Sequence, residues 1–210
     1  MLKQLDQLLT QALKENNITL DQATQQKLLT FLELIVAWNR VFNLTTLTTP
    51  REMVYLHLID SLIISPYLHG SRLLDVGSGG GLPGIPLAIT HPQQQWVLLD
   101  KTSKKTRFLT QVIAELKLEN VEVIHSRVEN FHPTDCFDSI VSRAFGTLSL
   151  FTETTAHLLC PGGKFIAMKG KNPQEEIAAL PNQFLLQKVV PIHIKGIAVE
   201  RHLIHIGIKR

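Results

Sequence analysis

The sequence predicts an α/β fold: a seven-stranded, mainly parallel, doubly wound sheet with helices on both faces, preceded by a helical N-terminal extension. Three observations predict it. After Ser71, apolar strand-like runs alternate with helical patterns. The first such run, Leu73-Leu74-Asp75-Val76, passes through a glycine-rich turn (Gly77, Gly79, Gly80, Gly81) into a helical run beginning at Gly84. Upstream, residues 1–68 carry their apolar side chains at helical spacing.

In the N-terminal region, Leu5, Leu8, Leu9 and Leu13 mark a first helix that Asn16-Asn17 ends. Thr19 with Gln22 reads as a capping-box start for a second helix, whose stripe of Leu28, Leu32, Ile35 and Val36 runs to about Phe42. Thr49, Pro50 and Glu52 supply a cap, a first-position proline and a box glutamate for a third helix, which Pro66 stops. Strands are expected near 72–76, 95–100, 121–125, 137–142, 163–168, 184–193 and 202–208. Helices are expected near 84–91, 103–117, 147–158 and 173–180. The last two strands have no helix between them and are expected to pair antiparallel. The division is into a helical region, 1–68, packed on a core, 69–210.

Composition bounds the class. The 210 residues are 44% hydrophobic and 19% charged, as in an ordinary globular protein. No apolar run approaches membrane-spanning length, and the leucines near the N-terminus alternate with Gln, Lys and Asp, unlike a secretory signal. Cys136 and Cys160 show no metal-ligand spacing and read as reduced cytosolic thiols, which places the protein in the cytoplasm. The nine histidines form no metal-ligand pattern, so no metal is expected. Residues 161–210 carry eight Lys or Arg against three acids, whereas the first 160 residues carry a slight acidic excess. A basic C-terminal quarter fits an anionic partner such as RNA, or simply a solvated surface.

The glycine turn carries the strongest chemical signal. Glycines there allow positive φ and close approach to a ligand, and the order strand, turn, helix forms a nucleotide-type cofactor entry. No Lys-Ser or Lys-Thr follows, so a phosphate cradle of the P-loop kind is absent. Asp75, two residues before the first glycine, would repel a pyrophosphate and suit the α-ammonium of a methionine moiety, directly or through water. The turn therefore reads as an S-adenosylmethionine site rather than an NAD site. Asp100 closes the next strand, at the distance from which an acid grips a ribose diol.

Ligands in such a sheet lie beyond the carboxyl ends of the strands. Val128 and Glu129 follow the third strand and are placed to meet an adenine. Arg143 follows the fourth and suits a carboxylate or an RNA phosphate. Lys101, Lys104, Lys105 and Arg107 crowd a helix start where the dipole favours acids, a departure that phosphate binding would explain. His57 and Asp60 share a helical face, but no nucleophile accompanies them, and no catalytic residue is assigned.

The motifs WNRVFNLT at 38–45, HLIDS at 57–61, LLDVGSGGGLPGIPLAI at 73–89, SRVENF at 126–131, SRAF at 142–145, MKG at 168–170 and ERHL at 200–203 recur in the order seen in one family. On these motifs the chain resembles the RsmG (GidB) family of bacterial small-subunit ribosomal RNA methyltransferases. The resemblance implies a class I (Rossmann-like) methyltransferase core that uses S-adenosylmethionine and releases S-adenosylhomocysteine. It implies methylation of the N7 nitrogen of the guanine at position 527 of 16S ribosomal RNA, by in-line attack with no obligatory general base. Cofactor contacts carry over to Gly77, Leu82, Val128, Glu129 and Arg143, with Asp100 entering from the general methyltransferase pattern. Lys169, Arg201 and His202 are the candidates for holding RNA. The expected partner is 16S rRNA within a 30S particle or its precursor, with the protein acting as a monomer and away from membranes. The alternative is a methyltransferase of the same core acting on another RNA or a small molecule.

Overall fold

The computed structural model describes residues 2–209. Its N-terminal part begins with α1 (Leu2–Glu15), which buries Leu5, Leu9, Ala12 and Leu13. Asn17 ends it in the left-handed conformation that Asn tolerates. α2 (Gln22–Phe42) starts from Asp21, whose carboxylate accepts the Thr24 amide at 2.7 Å. The cap expected at Thr19 is thus displaced to Asp21, whose carboxylate reaches the free amides of the first turn. α3 (Pro50–Glu52) has the expected capping box: Thr49 accepts the Glu52 amide, and Glu52 accepts the Thr49 amide. The helix then widens into a π-helix over Met53–Ile59 before ending as α4 (Asp60–Leu62). Nothing in the sequence pattern announced that widening, a feature frequent at functional sites.

The core consists of β1 (Arg72–Val76), α5 (Gly84–Thr90), β2 (Gln95–Asp100), α6 (Ser103–Leu116), β3 (Val121–His125), β4 (Phe137–Arg143), α7 (Leu148–Thr155), β5 (Leu159–Lys169), α8 (Gln174–Ala178), β6 (Phe184–Ile192) and β7 (Arg201–Ile208). The sheet order is β3-β2-β1-β4-β5-β7-β6. The first five strands run parallel, while β7 pairs antiparallel with both β5 and β6. β1 and β4 are neighbours, so the strand order reverses between them and a crevice opens there at the carboxyl ends.

Side-chain alternation along the strands builds two apolar layers. On one face, Leu73 and Leu98 join Ile85, Phe108 and Leu109 from α5 and α6. The same cluster includes Leu9, Leu32, Tyr55 and Ile59, so the N-terminal helices share this layer. On the other face, Leu74, Val97 and Phe165 pack against Leu148 and Phe151 of α7. Removing one such buried leucine side chain costs about 2–5 kcal/mol, so the N-terminal helices are held firmly. Among the described residues, no helix is long and apolar enough to cross a membrane.

The reading of Cys136 and Cys160 as free thiols is overturned, because they form a disulfide with Cα atoms 5.0 Å apart. The cause is register. Cys136 precedes β4, Cys160 lies in β5, and the pairing of Phe137 with Leu159 brings the two sulfurs together. Sequence spacing alone cannot reveal that. The bridge closes a segment with a sequence separation of 24 at the opposite end of the strands from the crevice. Reduction, or Cys160→Ser, is expected to lower stability by about 3 kcal/mol and Tm by roughly 10 °C. Calorimetry with and without reductant checks this.

Candidate active site

Two cavities open beyond the carboxyl ends of the parallel strands. The first, of about 320 Å³, lies between the tips of β1, β2 and β4 and the segment after β3. Gly77, Asp100, Val128 and Glu129 line it, so four of the six sequence-predicted cofactor residues come together. Gly77 adopts φ 71°, and Phe145 packs over its α-carbon so closely that an added Cβ would lie 3.1 Å from the ring. Asp100 is nearly buried. It accepts the Gly79 amide at 2.9 Å on one oxygen and the Thr102 amide at 2.8 Å on the other, which fixes its carboxylate at the rim. Lys105 approaches that carboxylate at 3.9 Å. Lys101, Lys105 and Arg127 all line this cavity, so part of the basic cluster faces it.

Several lining residues carried no assigned role from the sequence. Phe145, Leu150 and Thr154 close the cavity from the β4–α7 side. Phe145 belongs to the quoted SRAF motif, but its direction depends on a backbone turn that no motif encodes. Leu150 is about half exposed while its neighbours Leu148 and Phe151 are buried, and it presents an apolar wall.

Leu82 and Arg143 are placed elsewhere. Leu82 is buried in the apolar layer and does not line the first cavity. Arg143 lines the second cavity, of about 1,020 Å³, together with Lys169 and Arg201. Arg143 donates from Nη1 to the Leu56 carbonyl at 2.8 Å and to Asp60 at 3.3 Å. Lys169 donates to the Gly146 carbonyl and to Glu176, the latter at 2.7 Å. His202 is absent from the lining. It follows Arg201 on β7, so its side chain takes the opposite face, with Nδ1 3.2 Å from the Gly170 carbonyl. Met168 and Gly170 complete the core side of the wall, and the opposite side comes from the N-terminal region: Asn39, the 43–48 loop, Leu56, His57 and Asp60. Ala144 lines both cavities and so marks where they meet.

Asp75 requires a correction. It is fully buried, lines neither cavity, and accepts the Gly84 amide at 2.9 Å on Oδ2. No direct contact with an ammonium group is open to it. Its Oδ1 has no hydrogen-bond partner among the described residues. Burial pushes its carboxyl up to about 7, against the opposing pull of the Gly84 amide and Arg143. The case against a diphosphate rests instead on α5. All its residues through Ile89 are buried and none lines the first cavity, so the helix end that would cradle a pyrophosphate is not offered.

The cavity fits S-adenosylmethionine by its own chemistry. Its volume lies within the range of small-ligand pockets. Asp100 offers a fixed acceptor to a ribose diol, Val128 and Leu150 offer apolar walls to a purine, and Gly77 permits close backbone approach. Among the described residues, no group of three or more His, Cys, Asp or Glu is placed to hold a metal ion.

Comparison with known proteins decides the family. A family model described as GidB, rRNA small subunit methyltransferase G, matches residues 24–204. The chain belongs to the GidB family. Among GidB relatives, the ribosomal RNA small subunit methyltransferase G of Pseudomonas aeruginosa (strain LESB58) is 50% identical over 191 residues, which are 90% of this chain and 89% of that protein. Its counterpart from Pseudomonas syringae pv. tomato is 47% identical over 91% of this chain and 90% of that protein. Among solved structures, the glycopeptide N-methyltransferase MtfA complexed with S-adenosylmethionine superposes with a TM-score of 0.63 at 10% identity, covering 73% of this chain and 88% of that one. A SAM-dependent methyltransferase from Aquifex aeolicus gives 0.60 at 18% identity, covering 80% and 97%. The GidB fold is thus that of the Rossmann-like methyltransferases, as the sequence predicted.

The buried Asp75 generates a pH prediction. Its folded-state value lies above the ordinary 3.8, so the protonated form is the one folding favours. That contribution is full below about pH 4 and is lost as pH rises through about 7. Asp75→Asn keeps an acceptor for Gly84 and cannot ionise. Its stability relative to the native protein is expected to rise across this window by up to about 4 kcal/mol. His57, held down to about 4 by burial and by Arg143, contributes the opposite slope on the acid side, but equally in both proteins. Urea denaturation at acidic, neutral and mildly alkaline pH checks the difference; parallel curves would contradict it.

Proposed function

We propose that this chain transfers a methyl group from S-adenosylmethionine to the N7 nitrogen of a guanine in 16S ribosomal RNA, at position 527 in the decoding-region loop. The observation that carries this reading is the meeting of two cavities at Ala144, one of nucleoside size and one larger and lined by arginines. Family membership supports the choice of ribosomal RNA as the macromolecule.

In this reading Gly77, Asp100, Val128 and Glu129 hold the donor in the first cavity, with Phe145 and Leu150 as walls. Leu82 supports the glycine turn from below, and Arg143 acts from the second cavity. Arg143, Lys169 and Arg201 face the RNA, and His202 steadies the chain just past β5 beside them through the Gly170 carbonyl. When bound, S-adenosylmethionine supplies an electrophilic methyl group on a positively charged sulfur. Guanine N7 already carries a lone pair, so the chain's residues need not remove a proton from it. The second cavity accords with that. His57 is held neutral and far below its ordinary basicity, with Nε2 against the Thr45 hydroxyl at 3.1 Å. Asp60 is engaged by two arginines. What remains for these groups is orientation, worth up to about 7–11 kcal/mol in well-aligned systems.

The helical residues 1–68 and the core 69–210 act as one unit in this reading, because both supply walls to the second cavity. The partner is 16S rRNA within a 30S particle or its precursor, met in the cytoplasm by a monomer.

Incubation with methyl-labelled donor and small-subunit particles, naked 16S rRNA or nucleosides, followed by mapping of the modified base, tests the proposal. Label at N7 of one decoding-region guanine is expected, and label confined to small molecules or to another RNA would replace this reading with the alternative. Glu129→Ala is expected to weaken donor binding by about tenfold, on the scale of one charge-assisted hydrogen bond, with RNA affinity kept. Calorimetric titration with S-adenosylhomocysteine checks it.

A further inference from the structure

The second cavity contains one acid, in the HLIDS motif, that takes no part in proton transfer and is nonetheless engaged by two arginines. Asp60 is 2% exposed and sits where the π-helix returns to α-helix. Its Oδ1 accepts from Arg201 Nε at 2.9 Å, and its Oδ2 accepts from Arg143 Nη1 at 3.3 Å. The three residues come from three distant segments: the N-terminal helices, the tip of β4 and the start of β7. The guanidiniums are each about one-quarter exposed and both line the cavity.

One carboxylate between two guanidiniums leaves an excess of one positive charge. The third cation on this wall, Lys169, is matched by Glu176 at 2.7 Å. His57 adds no charge. The excess therefore sits on the Arg143–Asp60–Arg201 group. The Leu56 and Glu200 carbonyls anchor the two guanidiniums separately, and the shared Asp60 carboxylate offsets the repulsion between them.

We propose that Asp60 is a positioning residue for RNA: it yokes Arg143 and Arg201 so that their remaining N–H groups form one donor site for a backbone phosphate beside the target base. The inference rests on the rRNA reading above. It extends that reading by giving the N-terminal region a defined task, the supply of the carboxylate that aims two arginines of the core. Arginine suits this role because its planar fork donates to two acceptors at once, one inside the protein and one on the ligand.

Asp60→Asn separates yoking from charge alone. Loss of a negative charge, taken by itself, makes the cavity more positive and tightens RNA binding. Loss of the yoke weakens it. KM for the small-subunit particle is expected to rise about tenfold, on the scale of one charge-assisted hydrogen bond, while donor affinity changes less than twofold. The particle-binding constant is also expected to lose about one unit of its slope against salt concentration, the mark of one lost phosphate contact. An unchanged or lowered KM would overturn the proposal. If the native protein binds donor yet methylates no ribosomal RNA, it is the underlying reading that fails, and the two failures are distinguishable. Should Asp60→Asn not fold, Arg201→Lys serves: it keeps the charge, loses the fork, and leaves Asp60 with Arg143. A several-fold rise in particle KM is expected there, and native KM would refute the yoke.

Discussion

The hydrogen bond from the Gly84 amide to the buried Asp75 carboxyl is the contact on which the rest of the site depends. It ties the start of α5 to the end of β1 across the glycine turn. The tie requires glycine at 84, since an added Cβ would lie 2.3 Å from Leu98 and 2.7 Å from Asp75 itself. With α5 drawn this close to the sheet, the intervening turn has little freedom. Ser78 donates to the Asp75 carbonyl at 2.7 Å, and Gly79 donates to Asp100. The first cavity is what this folded turn leaves open. An acid that looked like a ligand contact is thus a structural keystone, and the acid at the rim of the first cavity is Asp100, one strand away.

This distinction explains how much was legible in the sequence. The order of strands and helices could be read because periodicity and turn residues are local: the Thr49–Glu52 box, the glycine turn and the β6–β7 pair all appear as expected. Gly77, Asp100, Val128 and Glu129 come together at the first cavity because each ends or follows a strand, a position that topology alone sends to the crevice. What escaped depends on three-dimensional register. The disulfide follows from the offset between β4 and β5. The inward turn of Asp75 depends on how near α5 approaches. His202 and Arg201, adjacent in sequence, point to opposite faces, so a motif containing both cannot say which one meets a ligand. The sequence assigned no site role to the loop at 43–48, although its first three residues belong to the WNRVFNLT motif. Its role as cavity wall arises from a network joining the Thr45 amide to Asn39 and the Thr45 hydroxyl to His57.

The electrostatics of the two cavities are organised differently. The first mixes two acids, Asp100 and Glu129, with three cations, a balance suited to a ligand that carries both signs. In the second, each exposed cation has a protein partner, so positive charge is presented by oriented groups rather than by free lysines. Groups already held in place lose less freedom when they meet a ligand. The modest net charge of +3 is therefore no guide to RNA affinity, because the local arrangement concentrates it.

The junction between the cavities is built by three consecutive residues. Arg143 ends β4 and enters the second cavity, Phe145 enters the first, and Ala144 between them lines both. Two side chains so close in sequence can serve separate cavities because the backbone reverses at Ala144, which takes φ 63°. For a residue other than glycine that conformation costs about 1–2 kcal/mol. Glycine would avoid the cost, but it would also loosen the link between Arg143 and Phe145. The small methyl keeps the passage open while the chain around it stays defined. Phe145 then presses on Gly77, and Arg143 is held at Leu56 and Asp60, so both ends of the strained bend are anchored. A methyl donor and its acceptor must meet at a fixed distance. The separation of the two cavities is set by one bent residue braced between the glycine turn and the N-terminal helices.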